Sequence, residues 1–528
     1  MRLRGYIHAI VGLWIISMVI ACMSSCSMIW SDEEQIPQCN IQQTVTLNLT
    51  IIHPDAGIPT RADLEYDDLE YTRNEAAVKN LSIFIVDLNT DGSENYSEVD
   101  YSSTEIDPAE FNEGIYSIRQ TFKVKVGAKH IYVGANMKEE HIQAFVGNKP
   151  LSLVGDGPAV NMVMTPDPRF SGEGTDILMF GKLKNLNGSD RIEIYEGAEE
   201  FDVSGTMERL TAKVLLTCDE GEPGLVRTGG RGWVETDKIR YTLNATNMHT
   251  FINRHADNAN SVNTDPNGLL SSYITTDADG RFIPGEGHDL QFEYWNTEDI
   301  RSRLFNERYS AKPLKYDPSK VGEGNSEDHY TEGIYCLENT AYNDMGLSGA
   351  TLDKAAMVAT THVVMVVRFI PKFVYTYQDV VNETGPTAMS WDTVLSDYLV
   401  ATDDGHEVGT YWTRTDADGN VHYYGQYSKN QYIAKYGAME SDFTCYEGGW
   451  SYFTTFIDGN TPGDSDQLTY DGLDSWGVQR NHYYILTVDH ISNPGSPIPD
   501  GNFIKVNSQT TEWFTRGSQE VIIKPKGN

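Results

Sequence analysis

The chain has 528 residues, 39% of them hydrophobic, which is enough to bury the cores of two or three domains. It carries 40 Lys and Arg against 76 Asp and Glu, a formal net charge of −36. A surface of that sign repels phosphate backbones and excludes nucleic acid as a partner.

The first element in chain order is a leader. "MRLRG" supplies two arginines, and "YIHAIVGLWIISMVIA" is an apolar run too short and wrongly flanked to be a resident membrane span. It ends in "VIACMSSCS", where a small residue twice precedes a cysteine. That is the pattern of a bacterial lipobox, whose cysteine is acylated and becomes the new N-terminus. Cys22 and Cys26 both fit; Cys26 is preferred because "MSSC" adds a short polar region that Cys22 would lack. Several acyl chains on one cysteine give lasting attachment. Residues 1–26 are therefore expected to be the signal peptide and lipobox. The later cysteines, Cys39, Cys218, Cys336 and Cys445, are far apart and have no CxxC spacing, so neither a zinc site nor another cofactor is expected. Their spread leaves their disulfide state open.

The next element is a strand. "TVTLNLTII" sets Val45, Leu47, Leu49 and Ile51 on one face against Thr44, Thr46, Asn48 and Thr50 on the other. A loop follows, "IPTRADLEYDDLEYTRNE" at 58–75, in which an isolated arginine precedes a run of acidic residues. Pro59 keeps the approach to Arg61 extended, and the acidic flank keeps the loop solvated. This is either a plain linker or a cleavage site between Arg61 and Ala62. Arg73 is the competing position, but cutting there would strip the lead-in to the next strand.

Beyond it the β pattern continues: "NLSIFIV" (80–86), "YSIRQTFKVKV" (116–126), "HIYVGAN" (130–136), "RLTAKVLLT" (209–217), "THVVMVVRFI" (361–370), "WSYFTTFI" (450–457), "HYYILTVDHI" (482–491) and "NFIKVNS" (502–508). Gly, Asn, Asp and Pro fill the connections. Short helices are expected only at 137–146 and 298–305. The pattern predicts an all-β chain of two antiparallel β-sandwich domains, 62–205 and 206–500, with large insertions in the second at 219–335 and 375–445. In the tail, Ile504 and Val506, then Val521 and Ile523, alternate like strands. On pattern alone they serve equally well as further strands of the second sandwich or as a free segment.

Two features invite chemistry and are read otherwise. "DLNTDGSENYSE" (87–98) satisfies the EF-hand expression from Asp87 to Glu98. It is entered from a strand, and Glu94 stands where an apolar residue belongs, so a hairpin turn on Asp-Gly is expected instead. No GxSxG, HExxH or P-loop occurs, and the histidines are scattered singly, so no enzyme is expected. Tyrosines cluster in "HYYGQYSKNQYIAKY" (422–436), a composition that suits either half-buried β residues or a binding surface.

Together, "TRNEAAVKNLSIFIVD", "HIYVGAN", "RLTAKVLLT", "YCLENTAY", "GGWSYFTTFI" and "VQRNHYYILTV" resemble, in order, segments of the Bacteroidales fimbrillins, pilins of the type V pilus. The likeness is closest to the shaft subunit of the minor, or short, fimbrium. It implies transthyretin-like sandwiches, an adhesive role at the outer membrane and no active site. It also implies a maturation route. A trypsin-like, Arg-specific protease cuts after an arginine, here Arg61, releasing the lipid together with residues 27–61. The slot left by Val45, Leu47, Leu49 and Ile51 then takes a strand from a neighbouring subunit. The donor would be 501–528, carrying Ile504, Val506, Val521 and Ile523. Anchor and tip subunits would be further partners, alongside a surface ligand that the sequence does not name. One departure is that only "NPGSPIPDGN" (493–502) precedes the terminal strands, where relatives carry a long proline-rich stretch. Two other roles stay open at this level: an anchor or tip subunit, and a carbohydrate-binding surface lipoprotein.

Overall fold

The computed structural model describes residues 41–52, 78–105, 115–146, 177–222, 224–247, 274–276, 282–284, 292–293, 296–306, 310–316, 333–337, 361–402, 405–457, 478, 480–499 and 507–512. The chain is all-β, with a few short helices. The first sandwich is built from β1 (Gln42–Ile52), β2 (Asn80–Leu88), β3 (Glu94–Glu105), β4 (Ile115–Lys125), β5 (Gly127–Ala135), β6 (Met179–Asn185), β7 (Ile192–Ile194), β8 (Glu200–Thr206) and β9 (Glu208–Arg209).

Their hydrogen-bonded order is β3-β2-β5-β6-β8-β1-β4. The path folds on itself at β6, whose first half pairs with β5 while Lys184 and Asn185 pair with β8. Two leaves result, β4-β1-β8 and β3-β2-β5-β6. Their facing side chains form one core, with Leu47 and Leu49 of β1 against Ile83, Ile85, Ile131 and Val133. The second leaf is covered on its other face as well. Phe84, Tyr132 and Phe180 pack there against Phe145 of the helix Glu139–Val146. Burial on both faces explains why "NLSIFIVDL" reads as a continuous apolar run rather than an alternating one.

The sheet changes between Arg209 and Thr211, just beyond the expected boundary at 205. The strand β10 (Thr211–Glu222) lies beside His482–Val488, in parallel, and beside Ile334–Leu337, antiparallel. Opposite it, His362–Pro371 pairs with Arg240–Asn244 and Trp450–Phe456. Leu216, Val363, Met365, Phe453 and Leu486 lie in the core they share. The antiparallel expectation thus has exceptions, since β1 also runs parallel to β8.

Part of the insertion 375–445 forms a further small sheet, whose Val374, Tyr411, Tyr423 and Tyr446 lie in the core of the second sandwich. Val374–Tyr375, Tyr411–Thr415, Val421–Tyr424 and Thr444–Tyr446 form a small sheet under the helices Tyr377–Asn382 and Gln426–Tyr436. The tyrosine stretch 422–436 is therefore strand at its start but helix from Gln426, bounded by Gly425 and by Gly437 in the left-handed region at φ 66°. The two expected helices are present at Glu139–Val146 and Thr297–Leu304.

Candidate functional site: the slot of the first strand

The alternation of "TVTLNLTII" dictates the site. Val45, Leu47 and Ile51 are 0% exposed and Leu49 is 1%. Burying four such side chains contributes on the order of 6–12 kcal/mol gross. The strand is held on both edges. It pairs antiparallel with β4 from Gln42↔Lys125 to Ile52↔Ile115, and parallel with β8 from Thr46↔Glu200 to Ile52↔Thr206. Bonds continue past both ends, from the Thr46 amide to the Glu199 carbonyl (2.8 Å) and from the Met207 amide to the Ile52 carbonyl (2.9 Å). Because, among the described residues, β4 and β8 are joined only through β1, its loss would open a slot with two unsatisfied strand edges and an apolar floor.

The outward face of β1 carries a polar key. The Asn48 amide donates to Glu200 Oε1 at 2.9 Å and to Asp202 Oδ1 at 2.8 Å, both on β8. Arg119 on β4 reaches Glu200 at 3.2 Å, and the Thr46 and Thr121 hydroxyls lie 3.2 Å apart. On the inward side, before Val45, the Gln43 amide donates to the Ala198 carbonyl at 2.9 Å. Sequence reasoning found the inward residues through their period of two. It missed the Glu200–Asp202 pair, because "EFDVSGT" is short and polar and pairs with β1 across a long sequence gap.

The other residues singled out in the sequence are Cys22, Cys26, Arg61, Ala62, Ile504, Val506, Val521 and Ile523. All lie outside the described residues, as does Arg73. Within the tail, Asn507–Glu512 pairs antiparallel with His482–Val488 as the last strand of its sheet. Cys336 and Cys445 are free thiols.

The EF-hand lookalike is a β-hairpin. The Asn89 amide donates to the Ser93 carbonyl at 2.7 Å across a turn in which Gly92 adopts φ 84°, and Asp87 forms a buried ion pair with Lys129 of β5. Glu94 turns to the sheet, where its carboxylate accepts from Tyr96, Tyr132 and His130, the last at 2.5 Å, with Lys182 at 3.5 Å. Burial raises the Glu94 carboxyl, but the hydrogen bonds from His130, Tyr132 and Tyr96 and the Lys182 charge outweigh it and pull it down to about 2.

The comparisons come from the chain's other end. Residues 444–518 match the family model described as Major fimbrial subunit protein type IV, Fimbrillin, C-terminal. No curated protein matches the chain. Among solved structures it is similar to a protein of Parabacteroides distasonis assigned to cell adhesion, at 13% identity and TM-score 0.40 over 89% of this chain and 98% of that one. It is similar to the fimbrilin FimA of Porphyromonas gingivalis W83, at 12% and 0.36 over 88% and 97%. A third is the tip fimbrial protein Mfa3 of Porphyromonas gingivalis, at 11% and 0.33 over 89% and 100%. Likenesses this distant support no statement about function. The family match does more, since it covers the strands Trp450–Phe456, His482–Val488 and Asn507–Glu512 and names a family of structural subunits rather than enzymes. Residues 444–518 thus match the C-terminal segment of the fimbrillins, in line with the fimbrillin resemblance read from the sequence.

Proposed function

We propose that this protein is a shaft subunit of a cell-surface fimbria, assembled by replacement of its own first strand. The fimbrillin match supports the fimbrial role. The observation that carries the assembly route is the position of β1. It is the middle strand of a three-strand leaf, it fills the core with four side chains that are 0–1% exposed, and it precedes the rest of the sandwich in the chain. A strand so placed can be cut off without interrupting any other strand, yet the slot it leaves is too apolar to stay empty. Refilling by a strand from a neighbouring subunit restores both edges and the core, which is β-augmentation in its strongest form.

In this reading the precursor reaches the outer membrane acylated at Cys26. An Arg-specific, trypsin-like protease cuts between Arg61 and Ala62, and lipid and strand leave together. The C-terminal segment 501–528 of one subunit, whose Asn507–Glu512 pairs with His482–Val488 before assembly, leaves that sheet edge and fills the slot of the next, and anchor and tip subunits close the ends. Arg61→Ala is expected to give lipidated, uncut, stable monomers that form no fibres, while Arg73→Ala assembles normally. Fibres built from intact Arg61→Ala subunits would refute the strand-exchange route. Labelling with a radioactive fatty acid checks the lipid: Cys26→Ala should abolish it, and normal labelling would move the site to Cys22.

A further inference from the structure

Far from the slot, in the small sheet of the insertion, three unlike side chains converge. His406 comes from the loop before Tyr411–Thr415, Cys445 from the strand Thr444–Tyr446, and Glu447 from the turn that follows it. Their ligand atoms all lie within 4.8 Å of one another. We propose that His406, Cys445 and Glu447 form a binding site for a single divalent ion of the zinc class.

The donor set argues for that class. An imidazole nitrogen, a thiol sulfur and a carboxylate oxygen are the three ligand types zinc takes, whereas calcium and magnesium would need oxygens throughout. An ordinary ion pair would use only two of these groups; the sulfur in the same shell is what a soft or borderline cation adds. The ligands are also held in advance. Glu447 accepts at Oε1 from the Glu407 amide (2.8 Å) and the Thr410 hydroxyl (3.2 Å), which leaves Oε2 facing His406 Nδ1 at 2.5 Å. The His406 amide donates to the Thr402 hydroxyl at 3.2 Å, and the imidazole lies edge-on to Trp412 at 5.2 Å between centroids. Cys445 pairs across the sheet with that same Trp412 and stands two residues before Glu447, which opens the turn Glu447–Gly449. Such supporting contacts fix ligand orientation at real metal centres.

Lys429 is the nearby cation that could compete. It is held away by Glu440 at 2.9 Å and by the Trp412 ring at 4.5 Å. The His406 and Glu447 side chains are 31% and 36% exposed, so the ion has an entry path and a fourth position open to water or to a donor from another molecule.

The test is a titration of the reduced full chain with Co2+ as a spectroscopic stand-in, followed by Zn2+ competition. One equivalent of Co2+ is expected to bind, with a thiolate charge-transfer band in the near ultraviolet and visible bands of four-coordinate strength. Zn2+ should bleach both. Cys445→Ser should remove the charge-transfer band and weaken binding about 10- to 100-fold. His406→Ala, which keeps the thiol, should weaken binding by a similar factor, so a misfolded serine variant leaves the site testable. His422→Ala, at the separate pair with Asp416, should bind like the parent. Absence of the charge-transfer band in the parent, or its survival at full strength in Cys445→Ser, overturns the site.

Discussion

Asn48 faces outward from β1, yet its amide bridges Glu200 and Asp202 at 2.9 and 2.8 Å. Any strand occupying this slot must bring a donor to that position or leave two carboxylates side by side. Asn48→Ala is expected to cost the full chain about 1 kcal/mol, and Asn48→Asp more, since it adds a third carboxylate. Leu47→Ala, on the opposite face at 0% exposure, should cost about 2–5 kcal/mol. Chemical denaturation at fixed pH reads all three; an Asn48→Asp variant as stable as the parent would remove the polar key. Glu94 gives a pH dependence of stated sign. Its carboxyl is held down to about 2 from an ordinary 4.5, so its contribution is present above about 4.5 and is lost as pH falls toward 2. Glu94→Gln should therefore destabilise at pH 7 by on the order of 2 kcal/mol and by much less near pH 3, as measured by urea midpoints. An equal loss at both pH values would show that shape, not charge, is at stake.

At the scale of elements, legibility followed the reach of the physics. Strand β1 could be read because one buried face imposes a period of two, and β2 because burial on both faces makes its apolar run continuous. The hairpin at 89–93 could be read because Asp-Gly at its tip supplies the left-handed φ the turn requires. Calcium should accordingly change neither the melting temperature nor assembly. A stabilisation of several degrees that Asp87→Ala abolishes would restore the metal reading. The helix Gln426–Tyr436 could not be read from its tyrosines, which favour strands; Gly425 and Gly437 were its punctuation. The strand β8 escaped notice because it is short and polar and its partner β1 lies far away in the sequence. Asn507–Glu512 is the last strand of its sheet, with His482–Val488 as its bonded neighbour. Deleting 503–528 should leave a folded monomer that cannot polymerise. A deletion variant that unfolds would instead assign the segment to its own subunit's core.

At the scale of the molecule, the composition anticipated an acidic chain with ample core, and that core divides into two sandwiches. They touch where Leu337 of the second joins Phe84 and Phe180 of the first, and where the Arg209 amide donates to Asn481 Oδ1 at 3.3 Å. The cluster of His406, Cys445 and Glu447 stayed invisible in the sequence because His406 lies 41 residues before Glu447 and meets Cys445 and Glu447 only through the fold. The assembly route was half legible: the sequence offered an apolar strand followed by an arginine, and only the topology gives that strand β4 and β8 on its two sides. The most direct measurement is the N-terminus of subunits taken from purified fibres, read by mass spectrometry. Strand exchange requires it to be Ala62, with no peptide from residues 41–52 in the fibre. Subunits that begin at an acylated cysteine and keep that strand would contradict the proposal outright.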